Sequence, residues 1–150
     1  MSEPGRGGCA CGAIRYECAG APLAMFNCHC TDCQRASGGA FVAVALFKVS
    51  SLRLVQGEPR YHRVTGDSGR WTDRGFCAAC GTPLFARGEI ASALISIKAG
   101  SFDDASWFRP TIDNWVPSAP SWLHLDPALP KAGKTTNVLR GPKRDAAATT

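Results

Sequence analysis

The chain is built from short apolar runs separated by turn residues. Residues 13–18 (AIRYEC) alternate, so Ile14, Tyr16 and Cys18 share one face, as in a half-buried β-strand. The longer run AFVAVALFKV (40–49) is apolar on both faces, which is typical of a strand buried on both sides. Further strands are predicted at 23–27, 51–56, 60–64, 70–76, 83–86 and 92–98.

Only two segments favour helix. TDCQRAS (31–37) is predicted to form one or two helical turns, with Thr31 or Asp32 near the N-cap. SFDDAS (101–106) is predicted to form a helical turn. The pattern therefore predicts a mostly β protein with short helical turns.

Composition divides the chain into a domain and a tail. We expect residues 1–130 to form one domain, because 150 residues suffice for a single hydrophobic core. Residues 131–150 are polar and carry five Lys/Arg against one Asp, so we expect a basic, disordered tail.

The sequence also indicates where the protein is located and whether it binds membranes or nucleic acids. The first residues, MSEPGRGGCACG, contain no apolar run typical of a secretory signal, and the longest apolar run (40–47) is too short to span a bilayer. We therefore expect a cytoplasmic protein without membrane contact. Residues 1–130 carry a net charge of +1, which seven thiolates on two divalent ions would make negative. Nucleic-acid binding is thus not expected, except through the tail.

Eight cysteines in a reducing compartment point to metal binding rather than disulfides. CACG (9–12) and CAACG (77–81) each end in Cys-Gly, and glycine readily adopts the positive φ that a zinc knuckle needs. Two such knuckles make a closed four-thiolate site, which assigns Cys9, Cys11, Cys77 and Cys80 to a structural zinc.

NCHCTDC (27–33) brings Cys28, Cys30 and Cys33 together without a fourth cysteine. Three thiolates leave one tetrahedral position for water or substrate, as expected of a catalytic zinc. Cys18 stands apart on a strand face and is predicted to be a small core residue.

The cysteines allow other assignments. The knuckle at 77–80 could pair with two of the central cysteines and leave Cys9 and Cys11 incidental. His29 could complete the central site, although a side chain between two ligands usually points away from the metal. His62 or His124 could supply the ligand from a distance, but a core or surface role is the default for each histidine.

The motifs GGCACGAIRYEC, NCHCTDCQRASGGAF, GFCAACGTPLF and the later APSW, in this order, resemble the glutathione-dependent formaldehyde-activating family, whose domain is shared with centromere protein V. The similarity runs over about residues 5–130. It implies a small zinc-stapled β domain of split-barrel or β-tent type, with the same division of the seven cysteines between two zinc ions.

The resemblance also implies a carbon–sulfur lyase that joins glutathione and formaldehyde into S-hydroxymethylglutathione at Cys28, Cys30 and Cys33. Arg35, two residues beyond Cys33, is a candidate anchor for a glutathione carboxylate. His29, Asp32 or water could transfer the proton.

The alternative is a binding module in which both zincs are structural and a protein or nucleic acid docks, partly through the basic tail.

Overall fold

A computed structural model describes residues 5–134, which form ten short strands, one α-helix and three single-turn 3₁₀ helices. The predicted class, mostly β with short helical turns, is confirmed, and neither sheet closes into a barrel. No helix within the described residues is long and apolar enough to cross a membrane. The strands are β1 (Gly5–Gly8), β2 (Arg15–Cys18), β3 (Ala24–Cys28), β4 (Val42–Lys48), β5 (Leu52–Gln56), β6 (Arg60–Thr65), β7 (Trp71–Phe76), β8 (Pro83–Gly88), β9 (Leu94–Lys98) and β10 (Asp113–Asn114), and the helix is α1 (Thr31–Ser37).

The strands form two sheets that face each other across a core. The smaller sheet has the order β1-β2-β5, and the larger has the order β10-β3-β4-β9-β8-β7-β6. Ile14, Tyr16 and Cys18 are buried in this core, as the alternation predicts, and β4 is buried over most of its length. Tyr16 packs edge-to-face on Phe85 of the larger sheet, a favourable geometry for aromatic pairs.

Two strands are not predicted by the pattern. The β1 strand, GRGG, has almost no side chains, yet it pairs with β2 along its length. A Cβ at Gly7 would lie 2.4 Å from both the Ser101 carbonyl oxygen and the Tyr16 hydroxyl, so the close approach of β1 requires glycine. The β10 strand has two residues and pairs in parallel with β3.

The predicted helical turn at 101–106 is wrong. The 3₁₀ turn lies earlier, at Ala99–Ser101, and it is followed by a bridge at Phe102, a bend and a separate turn at 106–107. Phe102 is buried in the core and bridges to Gly7, while Asp103 is held by the Arg15 guanidinium. Packing and this ion pair therefore override the local preference for a turn.

The boundary region between domain and tail is part of the folded structure. Lys131 Nζ lies 3.2 Å from Asp113 Oδ2, and the Ala132 N–H donates to the Asp113 carbonyl at 2.8 Å. The rest of the predicted tail, from residue 135 onward, lies outside the described residues.

Candidate metal centres

The two Cys-Gly knuckles come together at one place, although they lie at the start and the middle of the chain. The Sγ atoms of Cys9, Cys11, Cys77 and Cys80 all lie within 4.8 Å of one another. Cys9 and Cys11 are 3.6 Å apart, and Cys11 and Cys77 are 3.8 Å apart. Zinc with four sulfurs at about 2.3 Å needs sulfur separations of about 3.8 Å, so the group fits a tetrahedral ion.

Both knuckles share the predicted backbone geometry. Gly12 and Gly81 have φ of 79° and 78°, in the left-handed region that glycine adopts without strain. The turn directs polar groups at the sulfurs: the Ile14 N–H donates to Cys9 Sγ at 3.2 Å. Hydrogen bonds from the side chain and backbone of Thr82 are the main reason that the pKa of Cys80 falls to about 5. These contacts favour the thiolate form that a metal requires.

The second group is built on the end of β3 and the start of α1. Cys28 ends β3, Cys30 is the N-cap of α1 in place of the expected Thr31 or Asp32, and Cys33 lies in the first turn. Cys30 Sγ accepts the Cys33 N–H at 3.3 Å. The three Sγ atoms lie within 4.8 Å of one another, and no other Cys, His, Asp or Glu of residues 5–134 joins them. Three thiol donors at this spacing suit a zinc ion with one further position.

Two basic side chains from distant strands, Arg74 and Lys98, interact with this second group. Arg74 Nη1 and Nη2 each donate to Cys33 Sγ at 3.9 Å. Lys98, at the end of β9, is only 9% exposed. Hydrogen bonds from the Cys28 and Cys30 thiols, together with the charges of Lys98 and Arg74, hold the pKa of Cys33 well below its ordinary value. Burial is the main cause that lowers the pKa of Lys98, and the charge of Cys33 opposes it.

A cavity of about 480 Å³ lies between α1 and the β6–β7 hairpin. Its walls include Asp32, which precedes Cys33 in α1, and Arg74, which contacts Cys33 Sγ, so the cavity lies close to the three-cysteine group. Its volume is within the range of small-molecule sites. The lining combines three basic side chains with one acidic group and apolar surface; it comprises Asp32, Arg35, Ala36, His62, Val64, Arg74, Phe76, Gly81 and Pro83.

The histidines lie apart from both sulfur groups. His29 is buried, with Nδ1 3.1 Å from the Asn114 carbonyl and Nε2 3.9 Å from Asp113 Oδ1, so its ring points away from the cysteines, as predicted. His62 is exposed at the cavity wall, and His124 is exposed. Cys18 is fully buried in the core, as predicted.

Sequence reasoning missed three residues near the second group. Arg74 is an ordinary residue of an alternating strand, and only the fold brings it to Cys33 across 41 positions. Lys98 did carry a signal, because a lysine in a buried apolar strand needs a partner. Asn114 pairs in register with Cys28 and is 1% exposed, and neither atom of its side-chain amide has a hydrogen-bond partner.

Comparisons with known proteins agree with these features. The family model described as glutathione-dependent formaldehyde-activating enzyme matches residues 5–118, about three quarters of the chain. A crystal structure of a Rhodobacter sphaeroides protein has a similar fold, with a TM-score of 0.53 and 21% sequence identity; the match covers 65% of this chain and 87% of that one. The matched residues contain both cysteine groups and the cavity. The chain therefore belongs to the glutathione-dependent formaldehyde-activating enzyme family.

Proposed function

We propose that this protein is a zinc-dependent carbon–sulfur lyase that joins glutathione, or a related thiol, to formaldehyde or another small aldehyde. The observation that carries the proposal is the group of Cys28, Cys30 and Cys33, which has three potential ligands and no fourth among residues 5–134, beside a cavity that carries Arg35. In this proposal the chain holds two zinc ions, one structural at Cys9, Cys11, Cys77 and Cys80, and one catalytic at Cys28, Cys30 and Cys33.

The reaction is an addition. A bond forms between the thiol sulfur and the aldehyde carbon, the C=O double bond becomes single, and the thiol proton ends on the former carbonyl oxygen. Zinc bound at the open centre supplies the charge that keeps an incoming thiol deprotonated at neutral pH, where a free thiol is only a few per cent thiolate.

Two side chains at the cavity have roles in this proposal. Asp32 lies directly before Cys33 at the cavity wall and can carry the proton to the oxygen. His29 is less suited to this task because it is buried and bonded to Asn114. Arg35 is exposed at the same wall, where its planar guanidinium can bind a carboxylate of glutathione through two parallel hydrogen bonds.

The proposed location is the cytoplasm, because thiol ligands and a free thiol substrate both need a reducing compartment. All eight cysteines lie among residues 5–134 and are free thiols.

The test is the rate at which the zinc-loaded protein accelerates exchange between glutathione, formaldehyde and their adduct, followed by NMR. We expect acceleration by the wild type, none by Cys30→Ser, and full activity in Cys18→Ala, the matched control for loss of a cysteine outside both groups. An Arg35→Gln variant should raise KM for glutathione with little change in kcat. A fully metal-loaded wild type without activity toward thiol and aldehyde pairs would overturn the lyase and favour the binding module.

A further inference from the structure

Arg74 is bound to a sulfur rather than to a carboxylate. Its two terminal nitrogens both contact Cys33 Sγ, and no carboxylate of residues 5–134 lies within 4.0 Å of it. It reaches the group from β7, opposite His62 and Ala86 in the sheet. Its guanidinium carries a positive charge. Its electrostatic partner in this structure is therefore the three-cysteine group.

The net charge of a metal bound by the three cysteines explains why a neighbouring cation is important. Three thiolates around a divalent ion leave a net charge of −1, and a fourth thiolate makes it −2. Placing a second excess negative charge in a half-buried site is costly unless a cation is near. Arg74 supplies that cation, and Lys98 adds a second from β9, also without a carboxylate within 4.0 Å among the described residues.

The guanidinium also retains a free donor. Arg74 Nε is buried and has no hydrogen-bond partner in the described part of the chain, while the terminal nitrogens are directed at Cys33. An unpaired buried donor is costly, so the guanidinium is stabilised by negative charge at the neighbouring cysteine sulfurs. Arg74 also lines the cavity, so its side chain borders both the cavity and Cys33.

We propose that Arg74 is the specificity-determining residue of the three-cysteine centre, and that its cation makes the open position take an anionic sulfur donor, a thiolate, in preference to a neutral nitrogen donor. The inference rests on the proposed function for the existence of an open metal position, but not on the reaction with an aldehyde. Arg74 acts here as a positioning residue, and its effect is on the affinity and choice of ligand.

The experiment uses the full chain with cobalt(II) in place of zinc and follows the visible spectrum during titration with 2-mercaptoethanol or with imidazole. The closed four-cysteine centre has no position to offer and gives a constant background. We expect Arg74→Gln to weaken binding of 2-mercaptoethanol by about tenfold or more, since a charged contact is lost, and to leave imidazole binding within about twofold. Arg74→Lys, which keeps the charge, should retain the preference for the thiol.

Arg60→Gln is the matched control, because Arg60 is an exposed arginine of the adjacent strand β6 without an ion pair in the described part of the chain. If Arg74→Gln fails to bind cobalt at both centres, Lys98→Met is used instead. It removes the second cation near the three-cysteine group and should also weaken binding of the thiol but not of imidazole. Equal loss of thiol and imidazole affinity, or no loss of either, would overturn the proposal. A wild type that binds the thiol but does not add it to formaldehyde would overturn the proposed lyase and leave the role of Arg74 standing.

Discussion

The Sγ atoms of Cys11 and Cys77 lie 3.8 Å apart, although the two residues are 66 positions apart in the sequence. This contact joins the connection between β1 and β2 to the turn between β7 and β8, and thus links the small sheet to the large one. A metal bound there closes a long loop, and the free energy of metal binding then becomes free energy of folding.

Removal of one sulfur from the four-cysteine centre should therefore destabilise the whole domain. We expect Cys77→Ser to lose about one metal per chain and about 4 kcal/mol or more of unfolding free energy. Urea unfolding and elemental analysis measure the two effects. Cys18→Ala, which removes a buried sulfur outside both centres, should cost only about 1 kcal/mol and keep both metals. Equal losses in the two variants would contradict a structural role for the centre.

The three-cysteine centre should behave differently. Cys30 is the N-cap of α1, and serine is among the best N-cap residues, so Cys30→Ser should preserve the helix start while it removes a metal ligand. The variant should contain about one metal less per chain and unfold within a few degrees of the wild type. Calorimetry with metal analysis checks this. A collapse of the thermal midpoint would show that this centre is needed for folding.

The end of the domain can be located by truncation. A chain that ends at residue 134 keeps every described contact, whereas one that ends at residue 130 loses the Lys131 ammonium from the buried Asp113 carboxylate and the Ala132 hydrogen bond. Because an unpaired buried charge is costly, the shorter chain should be less stable by about 3 kcal/mol. Denaturant midpoints of the two truncated proteins give the difference. Equal midpoints would place the domain boundary at residue 130.

Tyr16 should make the protein sensitive to alkali. Burial raises the folded-state pKa of Tyr16 well above its ordinary value. The unfolded chain then loses its phenol proton first, so stability is full below about pH 10 and falls as the pH rises further. Between pH 9 and pH 11 this group should remove about 1.4 kcal/mol.

The measurement compares urea midpoints at the two pH values. The Tyr16→Phe variant should lose less stability over this interval than the wild type, although it also loses the 2.7 Å contact with Ser101. Tyr61→Phe is the control, because Tyr61 is 45% exposed and should alter the pH dependence less. An unchanged pH dependence in Tyr16→Phe would contradict the argument.

Asn114 should tolerate an apolar replacement. Neither polar atom of its buried side chain has a hydrogen-bond partner among residues 5–134, so replacement by a residue of similar size removes a desolvation cost. We expect Asn114→Leu to raise the unfolding free energy by about 1–3 kcal/mol. Asn27→Leu is the contrasting control, because the Asn27 amide donates to Asp113 at 3.0 Å and its loss should destabilise. Destabilisation by both would show that Asn114 holds an essential ligand or water.

Local sequence patterns are sufficient to predict most of the strands and the grouping of the seven cysteines. The eight strands from β2 to β9 lie where the apolar patterns and turn residues predict them, although β5 and β6 are largely exposed. The positive φ of Gly12 and Gly81 is a local property of the Cys-Gly turn, so it too could be predicted.

Contacts between residues far apart in the sequence could not be predicted from local patterns. His29 lies against Asn114 and Asp113, and β1 pairs through glycines that have no side-chain pattern. The 3₁₀ turn ends at Ser101 because the next residue, Phe102, is buried in the core. The tertiary structure also brings Arg74 to Cys33. Such contacts depend on the order of strands in the sheets rather than on any local preference, and this is why no segment of the sequence contains them.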